Sequence, residues 1–337
     1  MGRHVAGELP ELDRLVDDAC AEIGREIDAL RVPRLAGVVL GGGYGRGEGG
    51  VKKVKSEQLK VGSDKLQYSL SNDLDFFAIT DDDAPEAETV AAIGGAIKPV
   101  AEKWTEKLGV DVDFAVKTPW RLKHDEERIM VQELVRGYYD VAGATGTSLF
   151  ADIRKIDAAD IPWMEAARLL MNRGMGLLFA MTGHGVRGTE DGGRGFVNRN
   201  INKCVLGAGD AFLVSRGLYR WRADERAAVL ATQGDDGLYA RAVEWKFRPR
   251  EEPVCDWEAA REAWLGANVE VFAAVDDASC RRSLRSAARW LVRRRTLGDL
   301  GTFGQDPVAR ILCKVARHVE KRCSPDAALL RDWEVFN

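Results

Sequence analysis

Seven of the ten residues from Gly41 to Gly50 are glycine, and the run follows directly on the apolar segment Leu35-Ala36-Gly37-Val38-Val39-Leu40. No other feature of the chain constrains its fold as much. A short apolar run bounded by turn residues reads as a buried strand. A turn this rich in glycine lets the main chain bend sharply and approach a bound group more closely than side chains would permit. Strand followed by glycine turn is a layout that offers backbone N–H groups to an anion.

The flanking segments place this turn in a small sheet with helices. Leu12, Leu15, Val16, Cys20, Ile23, Ile27 and Leu30 recur at helical spacing, and Pro33 ends the pattern. The lysine-rich stretch Val51 to Ser71 lacks a clear period and reads as a loop or hairpin leading to a strand over Leu74 to Ile79. After the acidic turn Asp81-Asp82-Asp83, a helix is expected from about Ala87 to Leu108, and then the alternating strand Val110 to Val116. From Pro162 onward the period is helical. Helices are expected over Trp163 to Met181, Asn202 to Trp221, Asp256 to Val275, Ser279 to Arg295 and Pro307 to Arg322, with a loop at Gly183 to Gly195. The first of these should bury Trp163, Ala167, Leu170, Leu177 and Met181. The reading is therefore α/β plus α, divided near Asp157 into residues 1–156 and 157–337. A length of 337 residues agrees with two cores rather than one.

Composition excludes several classes. With 45% hydrophobic and 30% charged residues the chain is ordinary for a globular protein. A formal charge of −4 argues against a generic nucleic-acid coat. Six scattered cysteines with no CxxC pair, beside four histidines, give neither a zinc site nor a disulfide framework. No apolar run approaches bilayer length, and the charged start lacks a signal-peptide core, so no membrane partner and a cytoplasmic location are expected.

Chemistry concentrates in three segments: Gly42-Gly43-Tyr44-Gly45-Arg46-Gly47-Glu48, Asn72-Asp73-Leu74-Asp75-Phe76-Phe77 and Val110-Asp111-Val112-Asp113-Phe114. Residues i and i+2 of a strand share a face, so Asp73 and Asp75 present two carboxylates together. Like charges at that spacing repel unless a divalent cation offsets them. Hard oxygen ligands suit magnesium, with manganese as its substitute, and magnesium also binds substrate phosphates. A third carboxylate would complete a two-ion site. Asp113 is chosen for it, with Asp111 on the same strand face as the alternative. The main chain of Gly42 to Gly45 would cradle the phosphates.

These segments resemble the polymerase beta-like nucleotidyltransferase superfamily, in its small-molecule type with a helical C-terminal domain. That pattern is a Gly-Ser or Gly-Gly turn, an Asp-x-Asp strand and a third acidic strand. The resemblance covers about residues 35–116. It implies an N-terminal mixed sheet with helices as the catalytic domain and an all-helical C-terminal substrate-binding domain. It implies transfer of a nucleoside monophosphate from an NTP, with ATP expected, to an acceptor, with release of pyrophosphate. By that resemblance Asp73, Asp75 and Asp113 are the catalytic and metal-binding residues and Gly42 and Gly43 bind phosphate, while Tyr44, Arg46 and Lys203 are further candidates for contact with the nucleotide. Two departures stand out: Gly43 replaces a common serine, and the interval from Gly43 to Asp73 is long.

Gly45-Arg46-Gly47-Glu48-Gly49-Gly50 satisfies GxGxxG, but the lysine-rich segment behind it makes a poor helix for a dinucleotide site, and no Gly-Lys-Ser/Thr closes a phosphate loop of the Walker type. Arg46 either pairs with Glu48 or reaches the nucleotide. Lys203 shares a helical stripe with Gly207 and Asp210, facing either solvent or a triphosphate. Glu165 is a candidate general base, with a salt bridge to Arg168 or Arg173 as the blander account. Arg281, Arg285, Arg289 and Arg293 form a basic stripe best explained as a solvated face, His184 sits in the glycine-rich loop, and Asp81 to Asp83 fit a solvated turn. A small-molecule hydroxyl is the expected acceptor. Protein or RNA nucleotidylation and second-messenger synthesis are the enzymatic alternatives, and a silent nucleotide-binding or antitoxin-like partner the non-enzymatic one.

Overall fold

The computed structural model describes residues 2–53, 60–61, 64–65, 68–81, 87–183, 193–278 and 307–336. Contacts divide the chain into two units, Met1–Ile156 with Lys246–Pro249, and Asp157–Trp245 with Arg250–Asn337. The first combines sheet and helix, and the second is helical among its described residues. Among the described residues no helix is long and apolar enough to cross a membrane.

In the first unit, α1 (Pro10–Leu30) opens with Pro10 at its first turn and Glu11 and Asp13 at its positive end. It closes where Arg31 turns left-handed at φ 46°. Its inward stripe is Leu12, Val16, Ala19, Cys20, Ile23 and Ile27, whereas Leu15 is half-buried and Leu30 exposed. Next come β1 (Leu35–Leu40), the single turn α2 (Gly42–Gly45), β2 (Val51–Lys53), β3 (Lys60–Val61), β4 (Asp64–Lys65) and β5 (Tyr68–Leu70). They are followed by β6 (Leu74–Thr80), α3 (Ala87–Leu108), β7 (Val112–Lys117), α4 (Pro119–His124), α5 (Ile129–Leu134), β8 (Tyr139–Gly143) and α6 (Gly146–Leu149). β2 and β5 pair antiparallel, as do β3 and β4, which gives the lysine-rich stretch its hairpin character.

The main sheet has the order β7-β6-β1-β8. β6 and β7 run parallel, as the crossover through α3 requires, and β1 is antiparallel to both its neighbours. One face carries Val38, Leu40, Leu74, Phe76, Ala78 and Val112, packed with the apolar stripes of α1 and α3. The other carries Val39, Phe77 and Ile79, covered by Leu122, Val131 and Leu134 of α4 and α5. The short helices α4 and α5 and the strand β8 are additions to the sequence reading. Gln132 pins the end of this unit: its buried amide donates to the carbonyls of Glu126 and Arg154, and accepts from Ile156 N (3.0 Å) and the Arg136 guanidinium.

The second unit contains α7 (Trp163–Thr182), α8 (Arg194–Ser215), α9 (Ala223–Thr232), α10 (Leu238–Phe247) up to Trp245, α11 (Trp257–Ala278), α12 (Pro307–Lys321) and α13 (Ala327–Phe336), the last two residues of α10 being counted with the first unit. α7 packs on α8, α11 and α12. Gly174 makes room for the Trp264 indole and Val315, and Trp264 donates to Leu170 O at 2.9 Å. Leu170, Ala167 and Leu177 are buried as expected, but Trp163 and Met181, at the ends of α7, are only half-buried. α8 begins and ends earlier than its sequence pattern indicates, because glycine and polar positions blur its apolar stripe. The expected helix Ser279 to Arg295, with its four arginines, lies outside the described residues, as do His184, Asp82 and Asp83.

Phe76 and Phe114 are register partners on β6 and β7, with stacked rings 4.9 Å apart. Phe76 is fully buried. Phe76→Ala should therefore destabilise the first unit by about 3–5 kcal/mol. Urea unfolding checks this, and a loss no larger than that of a surface substitution would show that the stack does not hold the sheet.

Candidate functional site

The same register that stacks the phenylalanines sets Asp75 beside Asp113. Residues alternate across a strand, so both carboxylates lie on the opposite face from the rings, and both are exposed. Asp73 precedes β6 and is also exposed. Burial, then the nearby charges of Asp73 and Asp111, hold the Asp113 carboxyl above its ordinary range. Asp113 thus has Asp75 as its register partner and Asp73 as an electrostatic neighbour. Asp111 stands before β7, and its carbonyl accepts from Leu74 N at 2.8 Å. Among the described residues no three His, Cys, Asp or Glu side chains are gathered tightly enough to hold an ion as they stand. The donor set still suits a hard divalent cation: all three groups are carboxylates, and their mutual repulsion is what such an ion would relieve.

The glycine turn meets this edge directly. Gly41 N donates to Asp75 O at 2.8 Å, continuing the β1–β6 ladder. Gly42 then turns left-handed at φ 59°, and a Cβ placed on it would lie 2.2 Å from Asp75 Oδ2. The Asp75 carboxylate therefore rests against main chain that only glycine can supply. Among the described residues, the N–H groups of Gly42, Gly43 and Tyr44 make no hydrogen bond. As first-turn donors they remain available to an acceptor.

Three ties hold the turn from behind. Tyr44 is fully buried; its hydroxyl donates to Gly50 O (2.7 Å) and accepts from Ser71 N (3.2 Å) and Asn72 N (3.4 Å). Burial pushes this phenol up to about 12, so it stays protonated as a donor. The Tyr44 side chain, expected at the nucleotide, is thus engaged with the main chain instead, which leaves only its N–H for a ligand. His4, also buried, places Nδ1 3.2 Å from Tyr44 O and Nε2 3.0 Å from Asp17 Oδ1, while Val5 bridges Gly49. Asp13 in turn accepts from the N–H groups of Arg3, His4 and Val5.

The third tie is ionic. Glu48 is buried, with Lys246 Nζ 3.2 Å and Arg46 Nη2 3.7 Å from its Oε2. Arg46 is closer to Glu133, at 3.1 Å, and its buried Nε lacks a partner. Of the two roles weighed for Arg46, the structure forms the pairing, and with Glu133 more closely than with Glu48. Sequence reasoning could not find His4, Glu133 or Lys246, since each is remote from the turn and lacks a local motif. In the second unit, Lys203 is exposed on α8, and Glu165 is buried on α7 with Arg168 at 3.2 Å.

Two outcomes follow from this geometry. Gly42→Ala combines a left-handed residue, costing about 1–2 kcal/mol, with a clash at Asp75, whereas a Cβ on Gly43 meets nothing closer than Glu48 O at 3.2 Å. Thermal unfolding should show a clear loss for Gly42→Ala and little for Gly43→Ala; equal losses would contradict the asymmetry. For Asp113, a raised folded pKa means that ionisation opposes folding. The penalty is absent where the carboxyl is protonated in both states and complete above the raised value. In chelator, Asp113→Asn should raise Tm modestly at neutral pH, the effect being screened at an exposed site. The gain should vanish as pH falls into the carboxylate range, and a gain independent of pH would assign the effect to something other than this charge.

Comparison of the chain with protein-family models, with curated proteins and with solved structures finds no match.

Proposed function

We propose that the chain is a divalent-metal-dependent nucleotidyltransferase of the polymerase beta-like kind, which moves a nucleoside monophosphate from an NTP, ATP first among them, to a small-molecule hydroxyl. The observation that carries this reading is the placement of Asp75 and Asp113 side by side on parallel strands, with the open N–H groups of Gly42, Gly43 and Tyr44 against the Asp75 edge. An anion-accepting turn and a cation-requiring carboxylate edge on one sheet end are the two halves of a metal-triphosphate site.

Asp73, Asp75 and Asp113 would hold magnesium, which when bound neutralises phosphate charge and lowers the pKa of the attacking hydroxyl. The chain's own part is placement. The Gly42–Tyr44 main chain receives the terminal phosphates, fixing the α-phosphorus for in-line attack. The acceptor oxygen bonds to that phosphorus as the bond to the bridging oxygen breaks, and pyrophosphate leaves. Asp113, whose carboxyl is raised by burial and by the charges of Asp73 and Asp111, is the carboxylate assigned to take the hydroxyl proton.

Incubation with each labelled NTP, magnesium or manganese and a metabolite extract should yield pyrophosphate and a labelled adduct. Asp75→Asn and Asp73→Asn should each abolish the adduct without loss of fold. Full activity in either variant, or no turnover with any NTP and extract, would sink the reading.

A further inference from the structure

Lys246 to Pro249 count with the first unit, although the chain on both sides of them belongs to the second. Two glycines receive this segment. A Cβ on Gly50, the last residue of the glycine turn, would lie 2.7 Å from Lys246 O, and a Cβ on Gly7, left-handed at φ 108°, would lie 3.2 Å from Arg248 Nη2. The lysine main chain thus rests on the turn at a place where a side chain would push it away. From there its ammonium reaches Glu48 Oε2 at 3.2 Å.

Glu48 is itself fastened to the turn. Its N–H donates at 2.8 Å to the carbonyl of Gly43, one of the residues whose own N–H is open. Its side chain is buried, so water does little to screen the charge. Of its two cationic contacts Lys246 is the nearer, because Arg46 stands 3.7 Å from Glu48 but 3.1 Å from Glu133. With Arg46 drawn toward Glu133, the cancellation of Glu48 falls to Lys246. Without the lysine, two acids and one base would remain beside main chain that is open to an anion.

We infer that Lys246 is a positioning residue for the anion-receiving turn: by neutralising Glu48 it sets how strongly the N–H groups of Gly42, Gly43 and Tyr44 hold the terminal phosphates. The inference rests on the nucleotidyltransferase reading for the identity of the anion, and it adds a determinant of affinity that acts through Glu48. Bracing and charge cancellation differ in sign. If the ion pair only braced the turn, losing either member would loosen it, and Lys246→Met and Glu48→Gln would both weaken binding. If the pair cancels charge, the first leaves an excess negative charge and the second an excess positive one, so their effects on an anion are opposite.

The test titrates the full chain with pyrophosphate by calorimetry, with magnesium present to offset the carboxylate edge. Lys246→Met should weaken binding about 10-fold, Glu48→Gln should strengthen it, and the double variant should return to within about threefold of the parent. The ratio between the two single variants should narrow as potassium chloride is raised, which bracing alone does not produce. If Lys246→Met does not fold, Glu48→Gln and the double variant decide, since neither leaves a buried carboxylate unpaired: the single variant should bind pyrophosphate more tightly than the double. Lys246→Met binding as tightly as the parent, or Glu48→Gln binding more weakly, overturns the inference even where labelled NTP is turned over. Opposite shifts in the two variants support it even where no nucleotidyl transfer is found, in which case the transferase reading alone has failed. A parent that binds no pyrophosphate overturns both.

Discussion

The pairing register of β6 with β7 is the constraint on which the rest of the first unit depends. Strand side chains alternate, so one choice of register puts Phe76 on Phe114 in the core and Asp75 by Asp113 at the surface. A slip of one residue would turn the carboxylates toward the core packed by α1 and α3 and move the rings to the opposite face. The hydrophobic energy of the stack thus opposes the repulsion of the acids. The cost of crowding like charges is met by a part of the sheet that never touches a ligand.

The glycine turn shows the complementary principle. Its own contacts are few and main-chain in kind, and it is shaped mainly by what lies behind it. Lys246, Glu48, Arg46 and Glu133 alternate in sign and sum to zero. A buried Glu48 left alone would repel any anion at the turn as well as destabilise the fold. Paired on both sides, it fixes the turn without projecting net charge toward it. Tyr44 does with a hydroxyl what these residues do with charge, joining Gly50 to the segment that delivers Asp73.

Much of this was legible in the sequence where a local signal existed. The strand Leu35–Leu40, the helix Ala87–Leu108 and the Asp-x-Asp strand stand out because periodicity and turn residues act over a few positions, and all three are formed. Asp73, Asp75 and Asp113 were found as acids at strand spacing; that Asp75 faces Asp113 across the ladder is a tertiary fact no spacing encodes. β8, Tyr139–Gly143, was hidden because its exposure pattern is broken and it closes on glycine. α9 and α10 are short, and α8 is buried on too many sides to show one stripe. Arg46 could be read in two ways because its closer partner, Glu133, lies on α5, an element the period did not reveal.

Lys246 is separated from Glu48 by 198 positions, yet it belongs to the same compact unit. On the ribosome, Glu48 emerges long before its counter-charge. Until Lys246 has cleared the exit tunnel, the carboxylate has reason to stay in water, and the glycine turn cannot settle around it. The N-terminal unit is thus completed only after α7, α8 and α9, which belong to the other unit, have been translated.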